Sequence, residues 1–227
     1  MARKTKPPRA GRPKTSRNRK RRVLVATNGR VTEAAYFNLL RSCFGDATFH
    51  LQHGLEGKSP LELADAALSA LKDDTDESRR RSSDAYSVAF AVTDTDQFTD
   101  LAKAERRVKD GKAHLILSNP CFEVWLIDHV KQCPNRSLDA KPYEKLAHDL
   151  GITAPPSAKR GTSRSKAIVE KRITPLDESL KTAMENARGH CTQEKLKVRE
   201  SDPDKTSDYV NWTDMTRVIE WLEGRHA

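Results

Sequence analysis

The sequence predicts an α/β fold in which a mostly parallel sheet is flanked by helices, with a disordered basic arm before it and a mainly helical part after it. Short apolar runs rich in β-branched residues alternate with segments whose apolar residues recur at helical spacing. The first residues carry only basic charge, and the pattern near the C-terminus is helical. We therefore expect an arm over residues 1–22, a core over 23–132 and a helical extension over 133–227.

The arm accounts for the positive net charge. Residues 1–22 contain 11 Lys or Arg and no Asp or Glu, whereas residues 23–227 contain 30 basic and 32 acidic side chains, a net charge of −2. Prolines and the lack of apolar periodicity predict disorder in isolation. Such a segment attracts nucleic-acid phosphates or an acidic partner, although a solubilising tail is the simpler alternative. Its candidate nucleic-acid contacts are Arg19, Lys20, Arg21 and Arg22.

The core begins with alternating strands and helices. An apolar strand over 22–27 runs into a turn, and a helix follows from Thr32, which is a suitable N-cap. Residues 48–51 predict a second strand. A capping box at 59–62 predicts the next helix, and the charged stretch 73–84 predicts a polar loop after it.

The same alternation continues before the pattern becomes helical. Short apolar runs bounded by polar residues predict buried strands, and the pair Asn119-Pro120 favours the start of a helix. One face of the helix that follows this pair carries His129, which we expect to be a hydrogen-bonded core residue. The predicted elements are strands at 87–93 and 114–118 and helices at 102–108, from Asn119 onward, at 175–188 and at 213–223.

Composition excludes several classes of protein. The four cysteines are scattered and lack paired zinc spacing, so we expect reduced thiols. No stretch is apolar enough to cross a membrane and no apolar signal region begins the chain, which predicts a cytoplasmic protein. The chain also lacks the Gly-rich phosphate loop of a P-loop ATPase.

Two aspartates at the end of the strand over 87–93 are the most informative feature. Asp94 and Asp96 are two residues apart, so on an extended chain they point the same way. Ligands of open α/β sheets bind at the carboxyl ends of strands, and paired carboxylates suit Mg²⁺ or Mn²⁺. The alternative is a solvated turn, in which Asp is common.

A second basic stretch over 159–172 contains one acidic residue. It is interpreted either as a phosphate contact or as a solvated loop, and the sequence leaves both open. Its candidate nucleic-acid contacts are Lys159, Arg160, Arg164 and Lys166.

Three stretches resemble a known family. The Toprim pattern is a strand, an acidic residue and glycine in a turn, a helix, and a later strand ending in Asp-x-Asp. The chain resembles this pattern, and more closely the RloB family, a Toprim-related group of bacterial defence loci. The resemblance covers residues 23–132 well and the rest weakly. The stretches are 23–37 (VLVATNGRVTEAAYF), 93–96 (TDTD) and 118–126 (SNPCFEVWL), the last being the most specific.

The resemblance implies a Mg²⁺- or Mn²⁺-dependent nuclease that cleaves RNA, with tRNA as one candidate substrate, or DNA. It implies that Asp94 and Asp96 bind the cation directly. Glu33 would either bind the cation as well or contact a residue that binds it. Glu123 would orient the site, although an acidic residue there also suits the helix dipole. The resemblance further implies an ATPase sensor as a partner and allows a homo-oligomer.

Asn28 departs from the family pattern, which places a catalytic glutamate before the glycine. Asparagine is neutral and cannot exchange a proton at neutral pH, although its carbonyl oxygen can coordinate a metal. Either Glu33 compensates for this change, or the protein has kept binding and lost the chemistry. The alternative function is therefore a catalytically inactive subunit that binds nucleic acid or a partner.

Overall fold

A computed structural model describes residues 20–29, 31–81, 84–95, 98–109, 111–135, 137–154 and 167–225. Within these residues there are five strands, Arg21–Thr27 (β1), Ala47–Gln52 (β2), Val88–Asp94 (β3), Ala113–Asn119 (β4) and Trp212–Thr213 (β5). The α-helices of the same residues are Thr32–Leu40 (α1), Pro60–Arg81 (α2), Leu101–Val108 (α3), Glu123–Asp128 (α4), Lys141–Asp149 (α5), Leu176–His190 (α6), Gln193–Ser201 (α7) and Met215–Leu222 (α8). Short 3₁₀ helices occupy Glu170–Arg172 and Thr206–Tyr209.

The strands form one sheet in the order β2-β1-β3-β4-β5. The first four strands are parallel and β5 is antiparallel to β4, so the predicted α/β fold with a mostly parallel sheet is confirmed. Parallel strands are continuous apolar runs because helices cover both of their faces. In β3 only Asp94, the last residue, is partly exposed.

Two hydrophobic cores lie on opposite faces of the sheet. On the first, which we call the α1/α4 face, strand residues such as Val23 and Phe90 pack against α1, α4, α5, α6 and α8. On the second, the α2/α3 face, Leu24 and Ala89 pack against α2 and α3. Successive residues of a strand point to opposite faces, which is why neighbours in sequence belong to different cores.

The described residues beyond position 132 are mainly helical, as predicted, and they cover the α1/α4 face. Tyr143 of α5, Met184 of α6 and Met215 of α8 belong to the same hydrophobic cluster as Trp125 of α4. In addition, β5 pairs with β4 and extends the sheet. The C-terminal part is therefore built into the core that positions the strand ends.

The predicted polar loop over 73–84 is wrong for most of its length, because α2 continues to Arg81. The charges in this stretch pair at helical spacing, as in the 2.8 Å contact between Arg81 and Glu77. Arginines in the last turn also suit the negative end of the helix dipole. Asp74 points inward to Arg22 of β1 at 2.8 Å, so one face of this polar segment packs on the sheet.

The predicted arm ends two residues too late, because β1 begins at Arg21. Arg21 donates to Asp46 at 2.8 Å and to the backbone carbonyl of Trp221 at 3.2 Å. Arg22 lies over Tyr86, with its guanidinium 4.2 Å from the ring centroid. Both side chains stabilise the fold, and we therefore place the end of the arm at Lys20.

Candidate functional site

Three residues identify the carboxyl edge of the parallel strands as the candidate site. Asn28 follows β1, Asp94 ends β3 and Ser118 is the penultimate residue of β4. Asp94 and Ser118 are register partners in neighbouring parallel strands, so their side chains lie on the same face. This is the edge at which open α/β sheets bind their ligands.

Asn28 is directed to the other face of the sheet from Asp94. Its Nδ2 donates to Thr93 Oγ1 at 3.0 Å and to the backbone carbonyl of Lys58 at 3.0 Å. Thr93 precedes Asp94 in β3 and therefore points to the α2/α3 face, whereas Asp94 points to the α1/α4 face. The amide of Asn28 joins the ends of two strands by donating hydrogen bonds, which a glutamate carboxylate cannot do.

Glu33 packs against the turn that follows β1. It lies in the first turn of α1 and is 6% exposed. A Cβ added at Gly29 would come within 2.0 Å of the Glu33 carboxylate atoms, so a larger residue at position 29 would displace that carboxylate. The Gly29 N–H donates to Thr27 Oγ1 at 3.0 Å and closes the turn. The Asn-Gly turn thus places a buried carboxylate beside the strand end.

The carboxylates of Glu123 and Asp94 both lie within electrostatic range of the Cys121 thiol. Glu123 is the first residue of α4 and is buried. Burial raises the pKa of Cys121 well above its ordinary value, and the carboxylates of Glu123 and Asp94 raise that pKa further. The structure therefore brings two of the predicted site residues to one locality on the α1/α4 face.

Asn119 fixes the turn after β3, and sequence analysis missed this role. Its buried Oδ1 accepts from Thr95 Oγ1 at 2.8 Å. Its Nδ2 donates to the carbonyls of Thr206 and Tyr209 at 2.8 and 3.0 Å. The Thr95 N–H also donates to the carbonyl of Ser118 at 3.1 Å. The signal available in the sequence was a pair of polar residues, Ser118 and Asn119, at the end of a buried strand.

His129 is a hydrogen-bonded core residue, as predicted. Ser179 Oγ donates to the Ile173 carbonyl at 2.7 Å and therefore accepts from His129 Nδ1 at 3.0 Å. His129 Nε2 then accepts from the Tyr36 hydroxyl at 2.9 Å. Burial lowers the pKa of His129 to about 3, which keeps the ring neutral. Both ring nitrogens are occupied within the core, which gives this histidine a structural role.

The donor chemistry at the carboxyl edge fits a hard divalent cation. Among the residues that the structure describes, no three His, Cys, Asp or Glu side chains are grouped closely enough to hold a metal ion. Asp96, the predicted second ligand, lies outside the described residues. Mg²⁺ is commonly held by one or two carboxylates, with water and phosphate oxygens completing its shell. Asp94 with Glu123 would meet that requirement.

Most of the predicted nucleic-acid contacts lie outside the described residues, namely Arg19, Lys159, Arg160, Arg164 and Lys166. Lys20 is exposed immediately before β1. Arg21 and Arg22 are already engaged with Asp46 and Asp74. The prediction of phosphate binding by the arm is therefore carried by residues 1–20.

Deletion of residues 1–20 is expected to weaken nucleic-acid binding without unfolding the protein. The deletion removes nine of the 11 Lys and Arg residues that precede position 23. Every phosphate that the arm no longer neutralises should flatten the slope of log affinity against log salt by about 0.7–0.9. Fluorescence anisotropy with labelled RNA and duplex DNA at several salt concentrations measures this slope.

Deletion of residues 1–22 is the comparison, and it should also destabilise the fold. Unchanged affinity and slope would contradict a binding role for the arm.

Three further findings concern membrane-spanning helices, the protein family and other known proteins. Across the described residues, none of the helices has both the length and the apolar character required to cross a bilayer. A family model described as RloB-like protein matches residues 23–222. This match covers α5–α8 as well as the sheet, and so extends well beyond the stretch of closest sequence resemblance. No curated protein and no solved structure matches the chain.

Proposed function

The chain belongs to the RloB-like protein family, and on that premise we propose that it is a Toprim-type, divalent-cation-dependent nuclease of bacterial anti-phage defence. The observation that carries the proposal is the position of Asp94 at the end of β3 and of buried Glu123 at the start of α4, both within electrostatic range of Cys121, at the carboxyl edge of a mostly parallel sheet. Glu33 adds a buried carboxylate beside the adjoining strand end. These groups are the hard oxygen donors that phosphodiester chemistry with Mg²⁺ requires.

The residues of the site have separable roles. Bound Mg²⁺ or Mn²⁺ supplies polarisation of the scissile phosphate and acidification of a coordinated water. Asp94 would hold the cation, because it is the partly exposed end of an otherwise buried strand. Glu123 would add a second carboxylate from the start of α4, and Glu33 would contribute negative charge from the start of α1. The hydrogen bonds of Asn119 hold the turn after Asp94 in place, which favours a preorganised site.

The substrate is proposed to be RNA, with tRNA as one candidate, or DNA. The basic arm would attract either polymer through its phosphates, because its charge is independent of base sequence. An ATPase sensor is proposed as the partner that licenses cleavage, because the resemblance to the RloB family implies such a partner. The proposed compartment is the cytoplasm, where such substrates and partners occur.

A second candidate function is that of a catalytically inactive subunit that binds nucleic acid or a partner. The specific observation in its favour is the pair of hydrogen bonds that Asn28 donates to Thr93 and Lys58. Position 28 is used here to join strand ends, and no carboxylate stands at the position where the family pattern places one. An inactive subunit would bind the polymer through the arm and leave it intact.

Replacement of Asp94 and Asp96 together by alanine is expected to abolish Mn²⁺ binding, because it removes both carboxylates of the Asp-x-Asp turn. Isothermal titration calorimetry measures the binding directly. Asp46→Ala is the matched control, since Asp46 is an exposed aspartate at the opposite edge of the sheet. Equal Mn²⁺ affinity in the double variant and the unaltered protein would place any metal site elsewhere.

A further inference from the structure

Ser118 presents a buried hydroxyl that no described residue satisfies. Its side chain is 1% exposed, and its Oγ has no hydrogen-bond partner among the described residues. Buried hydroxyl groups normally find a partner, because leaving one unpaired costs free energy of desolvation. An unpaired buried group in an otherwise well-bonded region indicates a ligand or an ordered water.

The polar groups of the neighbouring residue and of the Ser118 backbone have hydrogen-bond partners. At this strand end the Ser118 hydroxyl is therefore the group that lacks one within the described part of the chain. The next residue, Asn119, uses both its oxygen and its nitrogen in hydrogen bonds. The carbonyl of Ser118 accepts from the Thr95 N–H at 3.1 Å. The backbone at this point is therefore held from both sides, and the hydroxyl is presented from a fixed strand end.

The hydroxyl lies beside the candidate cation ligand. Ser118 and Asp94 are register partners in β4 and β3, and the side chains of such partners share one face of the sheet. Neighbouring strands are about 4.8 Å apart, a separation that one water molecule can bridge. Glu123 and Cys121 also lie on this α1/α4 face.

We propose that Ser118 is a further positioning residue of the Asp94 site, and that its Oγ accepts a hydrogen bond from a water molecule coordinated to the divalent cation. The inference rests on the proposed function, because it requires the cation to bind at Asp94. A cation polarises its bound water, which makes that water a strong donor. A serine oxygen with both lone pairs free is a suitable acceptor for it.

Ser118→Ala is expected to weaken Mn²⁺ binding by about three- to tenfold, the range of one hydrogen bond. Its melting temperature without metal should be unchanged or higher, since the variant removes an unpaired buried group. The rise in melting temperature on adding Mn²⁺ should be smaller than in the unaltered protein. Calorimetry and thermal unfolding together separate these effects. Ser118→Thr, which keeps the hydroxyl, should restore the affinity.

Ser78→Ala is the matched control, because Ser78 is a buried serine of α2 on the other side of the sheet. It should leave the Mn²⁺ affinity unchanged. Absence of Mn²⁺ binding to the unaltered protein, or binding that survives Asp94→Ala, overturns the proposed function and this inference with it. Binding that depends on Asp94 but is equal in Ser118→Ala overturns the inference alone. A lower melting temperature of metal-free Ser118→Ala also overturns it, because the hydroxyl would then be structural.

Discussion

Replacing Arg199 by methionine is expected to lower the free energy of unfolding by about 3–5 kcal/mol, as breaking a buried ion pair generally does. Arg199 is fully buried. Its Nε and Nη2 donate to Asp214 Oδ2 at 2.9 and 2.7 Å, and its Nη1 donates to Glu105 at 2.7 Å. The variant removes the buried cation that contacts Asp214 Oδ2 and leaves only Arg217, a partly exposed arginine whose Nη1 lies 3.8 Å from Asp214 Oδ1. The cost comes mainly from the carboxylate charge that is then poorly compensated.

The ion pair between Arg199 and Asp214 is important because both residues also form hydrogen bonds to β4 and so hold the C-terminal part against the sheet. Arg199 Nη2 donates to the Leu115 carbonyl at 3.0 Å, and Asp214 accepts from the Leu117 N–H at 3.0 Å. Leu115 and Leu117 both belong to β4, the strand in which Ser118 is the penultimate residue. Burial by itself would lower the pKa of Arg199, but Asp214 and Glu105 outweigh it and raise that pKa. The guanidinium therefore stays charged at neutral pH.

Urea unfolding followed by circular dichroism measures this change in stability. Arg188→Met is the matched control, since Arg188 is a half-exposed arginine 3.5 Å from Glu220. Exposed ion pairs contribute about 0–1 kcal/mol, so this control should unfold close to the unaltered protein. A decrease below about 1 kcal/mol in Arg199→Met would show that methionine packing offsets the broken pair.

The sheet could be predicted from the sequence because its strands are buried on both faces. The apolar run before Asp94 has no helical spacing and is bounded by polar residues, which leaves few alternatives to a parallel strand. The end of α2 could not be predicted in the same way. Its charged residues are typical of a loop, and their packing against the sheet is visible only in three dimensions, where Asp74 contacts Arg22 of β1 and accepts from the Tyr86 N–H.

The candidate site could be predicted in part for the same physical reasons. Asp94 follows a clear strand, so its place at the carboxyl edge followed from the sequence. The face on which each side chain lies required the register, which places Ser118 beside Asp94 and directs Asn28 the other way. The pairing of Arg199 with Asp214 could not be foreseen, because Arg199 lies in a charged helix whose sequence is typical of a solvated one.

Asn28→Glu is expected to raise phosphodiester cleavage by about 10²–10⁴-fold, the usual range for general acid–base assistance. The hypothesis is that the sequence as it stands is a weak or inactive nuclease, because the family position for a proton-exchanging glutamate holds a neutral amide. Glutamate adds a negative charge and a proton-accepting oxygen near the proposed cation. It is also one methylene longer than asparagine, which gives the carboxylate reach around the strand end.

The substitution has a predictable structural cost. A carboxylate cannot donate to the Lys58 carbonyl, so that hydrogen bond of Asn28 is lost. It can bond Thr93 only by accepting from the Thr93 hydroxyl, which now donates to the Asp94 carbonyl at 3.1 Å. The expected decrease in stability is about 0.5–1.5 kcal/mol for each hydrogen bond that is lost. Loss of the bond to Lys58 is expected to release side chain 28 from the α2/α3 face, and the gain in cleavage requires that it then turns toward Asp94. Asn28→Gln is the matched control, because it has the length of glutamate but keeps a neutral amide.

The assay offers tRNA, single-stranded RNA and duplex DNA with Mg²⁺ or Mn²⁺, with and without the partner ATPase. Little cleavage by the unaltered protein and by Asn28→Gln, with clear cleavage by Asn28→Glu, would assign the deficit to charge and proton exchange at position 28. Vigorous cleavage by the unaltered protein that depends on Asp94 would contradict the hypothesis and transfer the base role to Glu33 or to cation-bound water. Failure of every form to cleave, even with the partner present, would favour the binding subunit, because Asn28 would then serve only to join β1 to β3.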